Sequence, residues 1–211
     1  MKKKFIALFY VGAFFLWSGQ VFAATVFSDD FEKGNLLQWT GRGDSSHHGQ
    51  IVGDPAGGIN GHAMNFYGLN SGGDIFTKEA FSEGEYWLSF DYYGDTEAFG
   101  PDNQNTGGYV GISRGFAGTH EWLYATGEAS GAQDVLIDDN SWHSYTFNFE
   151  APWAFHLMFE DFSGSRGGAG DAYFDNIILR DTNPVPEPAT LVLFGVGLVG
   201  LAGIRSRKKR S

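Results

Sequence analysis

Short runs in which aromatic and polar residues alternate, broken by Gly, Asn and Asp, leave this chain few folds to choose from. In WAFHLMFE from Trp153, Phe155, Leu157 and Phe159 alternate with Ala154, His156 and Met158. One face of such a strand is core and the other at least half covered. Runs of the same kind are HAMNFYG from His62, GDIFTKEAF from Gly73, EYWLSFDYY from Glu85 and GYVGISRGF from Gly108. HEWLYAT from His120, SWHSYTFNFE from Ser141 and AYFDNIIL from Ala172 complete the set, and no stretch of the body reads as a helix. The pattern predicts an all-β chain, two antiparallel sheets packed as a single sandwich. With no cysteine in 211 residues there is no disulfide framework, so closure of the sheets has to stabilise the domain.

The termini have a different composition. Lys2, Lys3 and Lys4 precede an apolar stretch from Phe5 to Trp17 and a small-residue site at Val21 to Ala23, which reads as a signal peptide over 1–23, cut by signal peptidase. The expected sandwich domain spans 24–180, and 181–188 is a polar, Pro-rich linker. An apolar segment follows at 189–204. At about 1.5 Å per residue it is roughly 24 Å long, enough to span a bilayer whose flanks snorkel or thin. Five Lys or Arg within 205–211 leave that end in the cytoplasm by the positive-inside rule.

Pro186, Glu187 and Pro188, then Ala-Thr, a Gly-rich apolar segment and a basic end that includes Arg205 and Arg207, resemble the PEP-CTERM sorting signal of Gram-negative bacteria. The resemblance implies recognition by an exosortase, a membrane protease-transpeptidase. It also implies an inner-membrane intermediate, removal of the tail near Pro-Glu-Pro, and delivery to the cell surface or the extracellular matrix of a biofilm.

Between the termini, residues 24–188 carry 6 Lys or Arg against 25 Asp or Glu, a net −19. Such a body repels nucleic acid and anionic lipid, which excludes both as partners of the domain. It suits Ca²⁺, whose ligands are carboxylate and carbonyl oxygens.

DDFEKGNLLQW from Asp29 and AYFDNIIL from Ala172 are similar to the first and last strands of jelly-roll domains in the galactose-binding-like and carbohydrate-binding-module group. That resemblance implies one structural Ca²⁺ held by Glu32 and Asp175, with Asp30 as a further ligand. First and last strands of such a sandwich lie side by side, and two carboxylates brought together there repel unless a cation joins them. The bland alternative is a set of separate surface carboxylates capping turns.

Sugar binding needs exposed flat aromatics flanked by hydrogen-bonding side chains. The candidates are Trp87, Tyr93, Trp122 and Tyr124 with Arg114, and Trp142 beside them, although most aromatics at strand spacing belong to the core. The polar loops from Gly94 and from Phe162 are long enough to shape a site. His47, His48 and His62 fit no zinc spacing, and the Arg42–Asp44 tripeptide is too short to carry meaning. No nucleophile elbow, HExxH helix or compact acidic glycosidase motif is present in the sequence. The carboxylate pairs Asp138–Asp139 and Glu160–Asp161 are what an acidic chain produces by chance. The expectation is a non-catalytic, exported protein, glycan-binding or structural, with extracellular polysaccharide as partner. A polysaccharide-active glycosidase or lyase on the same sandwich is the alternative.

Overall fold

A computed structural model describes residues 24–57, 61–66, 74–95, 107–116, 120–126, 131–162 and 171–182. The expected signal peptide, the apolar segment at 189–204 and the basic tail lie outside these residues, as do most of the two polar loops.

The described residues form twelve strands and no helix. In chain order they are β1 (Ala24–Asp29), β2 (Trp39–Thr40), β3 (Gly49–Gly53), β4 (His62–Phe66), β5 (Ile75–Thr77) and β6 (Gly84–Gly94). The second half holds β7 (Gly107–Ser113), β8 (His120–Ala125), β9 (Gln133–Asp134), β10 (Trp142–Ala151), β11 (His156–Phe162) and β12 (Ala172–Asp181). One sheet runs β10-β6-β12-β4-β3, with β1 also on β12, and the other runs β2-β5-β11-β7-β8-β9. We call them sheets A and B. Together they make the expected sandwich.

First and last strands do pair: β1 runs antiparallel to β12, Ala24 opposite Asp181 and Asp29 opposite Ile177. The stretch from Asp30 to Gln38, however, is turns rather than strand. Asp29 ends β1 itself. Its Oδ1 accepts the Phe31 N–H, Phe31 takes a φ of 54°, and Oδ2 accepts the Trp39 indole N–H at 2.8 Å. One carboxylate therefore stops a strand and fixes the largest side chain of the core.

That core is aromatic. Trp39, Phe90, Phe159 and Phe174 are almost wholly buried, and Phe90 touches both Phe159 (6.2 Å between centroids) and Phe174 (6.1 Å). Edge-to-face packing dominates, Phe159 meeting Phe174 at 70° and Trp39 at 79°. As the alternation predicts, Phe155, Leu157 and Phe159 point into this layer. Met158 on the opposite face is buried as well, so the outside of sheet B is partly roofed.

Candidate functional site

Strand register places a mixed set of side chains on the outer face of sheet B. Phe159 pairs with Ile75 and Val110, and Glu160 pairs with Tyr109, which sets Asp74, Glu160 and Tyr109 in one row across three strands. The next row holds Phe76, Met158 and Gly111, and Gly111 pairs with Trp122 on β8. Gly111 is there for space. A Cβ on it would come within 2.5 Å of the Glu121 carbonyl oxygen and 3.0 Å of the Trp122 ring, so only glycine lets the indole lie down over the sheet. Trp122 meets Tyr109 edge to face, 5.3 Å between centroids.

Arg42 approaches the same row from the loop after β2. That loop is tied at several points: Gly41 N–H to the Ser45 carbonyl, Gly43 N–H to the Phe116 carbonyl, and the Thr40 hydroxyl to Asp44 Oδ1. Gly43 and Asp44 both take left-handed φ values, 68° and 55°. The arginine that the loop presents donates from Nε and Nη2 to Asp74 Oδ2 at 2.9 and 2.8 Å. Asp74 in turn is hydrogen-bonded to Glu160, whose carboxyl is pushed up to about 8 by burial first and by the charge and hydrogen bond of Asp74 next, with Arg42 pulling it down. Glu160 therefore keeps its proton at neutral pH and shares it with Asp74. Arginine, carboxylate, protonated carboxyl and two aromatic rings stand side by side on a partly covered sheet face, with Arg42 exposed, Trp122 half-buried and Tyr109 buried beneath it. Neutral diols and flat sugar rings are what such a set can hold.

The sugar-contact candidates are spread over the molecule. Trp122 lies on the sheet B face, half-buried. Tyr124, two residues later, points the opposite way and is 3% exposed, its ring stacked on Phe147 at 3.8 Å. A bulge between Val110 and Gly111 causes this, because one extra residue on β8 reverses the alternation. Trp87 and Tyr93 are on the outer face of sheet A, Trp87 40% exposed between Asn148 and Arg180, and Tyr93 buried between Trp142 and Tyr173. Arg114 lies at the end of β7 with its guanidinium 4.9 Å from the centre of the Trp153 ring. Arg42, Asp74, Tyr109 and Glu160 were not singled out as ligand contacts by the sequence. The one available signal was a glutamate on the outward parity of an apolar strand.

Of the calcium candidates, Asp175 lies on sheet A, and Asp30 and Glu32 lie in the turn after β1. Asp175 pairs with Asp91 across β12 and β6, and its carboxyl is raised to about 6, by burial first, then by the charges of Asp91, Glu32 and Asp30. Asn176, at φ 50° in a bulge, donates to Asp91 Oδ2 at 2.8 Å and to Asp175 Oδ2 at 3.2 Å. Glu32 is turned to His62, accepting its backbone N–H at 2.6 Å, and Asp30 Oδ1 accepts the Glu32 N–H. The adjoining pocket, about 200 Å³, is lined by Asp54, His62, Asp91, Trp142, Asp175 and Asn176 among others. These oxygen donors suit Ca²⁺ in kind and in charge. Among the described residues, however, no three His, Cys, Asp or Glu side chains converge on one metal position.

Of the four carboxylates in the chance pairs, Asp139 makes a local contact, Oδ1 2.8 Å from the His143 ring. Asp138 takes the Tyr92 hydroxyl at 2.6 Å, and Asp161 is wholly buried beside Asp171. Asp171 is raised to about 9 by burial and by the charge and hydrogen bond of Asp161.

Among solved structures the fold is similar to the CBM22-1 xylan-binding domain from Paenibacillus barcinonensis Xyn10C, with a TM-score of 0.50 at 13% identity, over 77% of this chain and 97% of that one. The tandem CBM22-1-CBM22-2 domain of the same protein gives 0.50 at 14%, over 74% and 50%. A structure from Clostridium thermocellum, the C-terminal family 22 carbohydrate binding module of Xyn10B, gives 0.48 at 12%, over 76% and 96%. At these identities the likeness is one of fold, a jelly roll. No curated protein sequence matches. Beyond the last strand, residues 184–208 match the PEP-CTERM protein-sorting motif, so the chain carries a sandwich domain followed by a sorting signal.

Proposed function

We propose that this is an exported, non-catalytic glycan-binding protein of the cell surface or extracellular matrix. In this reading a signal peptide takes the chain across the inner membrane of a Gram-negative cell, and the segment at 189–204 holds it there. An exosortase then reads the Pro-Glu-Pro signal and releases the domain to the surface. The observation that carries the binding role is the Tyr109–Trp122 ring pair beside Arg42, Asp74 and Glu160 on one sheet face. The half-buried Trp122 ring, braced by buried Tyr109, offers stacking area, and the trio of Arg42, Asp74 and Glu160 offers fixed donors and acceptors for hydroxyls. The xylan-binding neighbours support the reading through their shared fold.

The hydrogen bond between Asp74 and Glu160 also speaks against glycoside hydrolysis by this pair. Glycosidase carboxyls stand about 5 Å or more apart on either side of the scissile bond. Two carboxyls that bond each other cannot flank a sugar linkage in that way.

The full chain, purified in detergent, should be retarded in gels containing neutral polysaccharide. Trp122→Ala should reduce retardation about tenfold or more, the effect of losing one stacking ring. Unchanged retardation of a folded Trp122→Ala protein would move the site elsewhere.

A structural Ca²⁺ near Glu32, Asp30 and Asp175 is part of the same proposal, supported by the mutual repulsion of those carboxylates and Asp91. Glu32 would have to leave His62 to join it. Ca²⁺ should raise the melting temperature and chelator lower it, and Asp175→Asn should remove the difference. Equal melting in both conditions would discard the ion.

A further inference from the structure

Asp74 occupies a position that a sugar-binding face does not need for contact alone. Its side chain is only 12% exposed, against 68% for Arg42, and it stands between the guanidinium and the Glu160 carboxyl. Both Arg42 nitrogens that face it end on the same oxygen, Oδ2. The cation is thus already satisfied in charge before any ligand arrives, and its remaining N–H groups are donors beside a neutralised ion pair. Glu160, by holding its proton, adds a carboxyl that donates and accepts without adding charge. The trio is close to neutral as a unit and rich in both kinds of hydrogen-bonding group.

The other described cations lie elsewhere: Arg114 over Trp153, Lys78 on the Leu37 carbonyl, Arg180 on sheet A, and Lys33 in the turn after β1. A carboxylate or sulfate on an incoming sugar would find Arg42 engaged, Asp74 fixed behind it, and a strongly acidic body around it. An uncharged vicinal diol meets no such penalty, since each hydroxyl can both donate and accept.

Resting on the glycan-binding reading, we propose that Asp74 is the specificity-determining residue of this face: by holding Arg42 and Glu160 together it admits uncharged sugar chains and turns away uronate-bearing ones. Asp74 is a positioning residue in this scheme. It acts through Arg42, which it withholds from anionic sugars.

The test uses the full chain in detergent, with unsubstituted β-1,4-xylan and β-1,4-mannan as neutral probes and alginate and polygalacturonate as anionic ones. Affinity gels are run at about 0.15 M and about 1 M salt, where the screening length falls from about 8 Å to about 3 Å and long-range repulsion by the body fades. The wild-type chain should prefer a neutral probe over both uronates by about tenfold or more at either salt. Asp74→Asn keeps the size of the side chain and frees the arginine, so uronate affinity should rise about tenfold, as for one charge-assisted hydrogen bond. Adding Arg42→Gln should cancel that gain, which general loosening of the fold would not do. Melting curves establish that each variant is folded, and Asp74→Ser serves in place of an unfolded Asp74→Asn. Equal wild-type binding of neutral and uronate chains, or a folded Asp74 variant with unchanged uronate affinity, overturns the proposal while leaving the glycan reading in place. Failure of the wild-type chain to bind any of the four probes removes the glycan reading and this inference together.

Discussion

Phe174 shows how much rests on single side chains. It is wholly buried and meets Phe66, Phe90, Tyr92 and Phe159. Phe174→Ala should cost about 3–5 kcal/mol, seen as a lowered urea midpoint, because four rings cannot collapse into the space left. Asp171 poses the opposite case. Its Oδ1 is buried with no hydrogen-bond partner among the described residues, and its raised carboxyl is neutral where a free aspartate is charged. Asp171→Asn supplies an amide that needs no proton to stay neutral. The variant should match the wild type below about pH 4 and gain on it steadily up to about pH 9, because over that range the unfolded wild-type group gives up a proton that the folded one keeps. A variant less stable at both values would mean that the acid itself is required there.

At the scale of strands, two bulges decide what the faces present. The one between Asp175 and Ile178 brings Asn176 over the Asp91–Asp175 pair, where it bonds both carboxylates. Asn176→Ala leaves that pair facing with no bridge and should destabilise the domain by about 1–3 kcal/mol in urea titration. The other bulge, between Val110 and Gly111, puts Trp122 outside and Tyr124 inside. Period-two reading carries both to the same face, since nothing in HEWLYAT marks an extra residue. The same limit explains other differences. β6, β10 and β12 are legible because they are ten or more residues long and alternate over most of that length, β12 on either side of its bulge, whereas β2 and β9 have two residues each and owe their pairing to neighbours. β1 lies one segment earlier than the resemblance implied, because Asp29 turns the chain. Asp74 and Glu160 are far apart in sequence and meet only through the β5–β11 register, which no local pattern encodes. Gly111→Ala tests the second bulge directly: the added methyl should displace the indole, shift Trp fluorescence and weaken glycan retention together.

For the molecule as a whole, the raised carboxyls act in one direction. Asp138 and Asp175 are raised to about 6, Glu160 to about 8 and Asp171 to about 9, burial being the first cause in each. Each holds a proton in the folded chain at pH values where an unfolded carboxyl has lost it. The stabilisation from that proton is complete below the ordinary carboxylate range and fades as pH rises through 6 and on toward 9. Every proton so held makes the fold less stable as pH rises between the unfolded and the folded value. The melting temperature should therefore be highest in mild acid and decline steadily into alkali. A maximum near about pH 8 would contradict the assignment.

The place of β12 has a mechanical consequence. It lies inside sheet A, with β6 on one side and β1 and β4 on the other, and Thr182 extends its hold by donating from both N–H and hydroxyl to the Glu85 carbonyl. The sorting motif begins at residue 184, directly beyond. In the membrane-held state proposed above, a pull on the tail would enter the domain along a central strand and load its hydrogen bonds to β6 together, instead of peeling an edge one bond at a time. We expect a chain stretched in an optical trap between its tail and Asp95, at the far end of β6, to give way at a higher force than one stretched between its tail and Ala24, which sits opposite Asp181 and would unzip β1 from β12. A domain built in this way resists drag while it is still tethered.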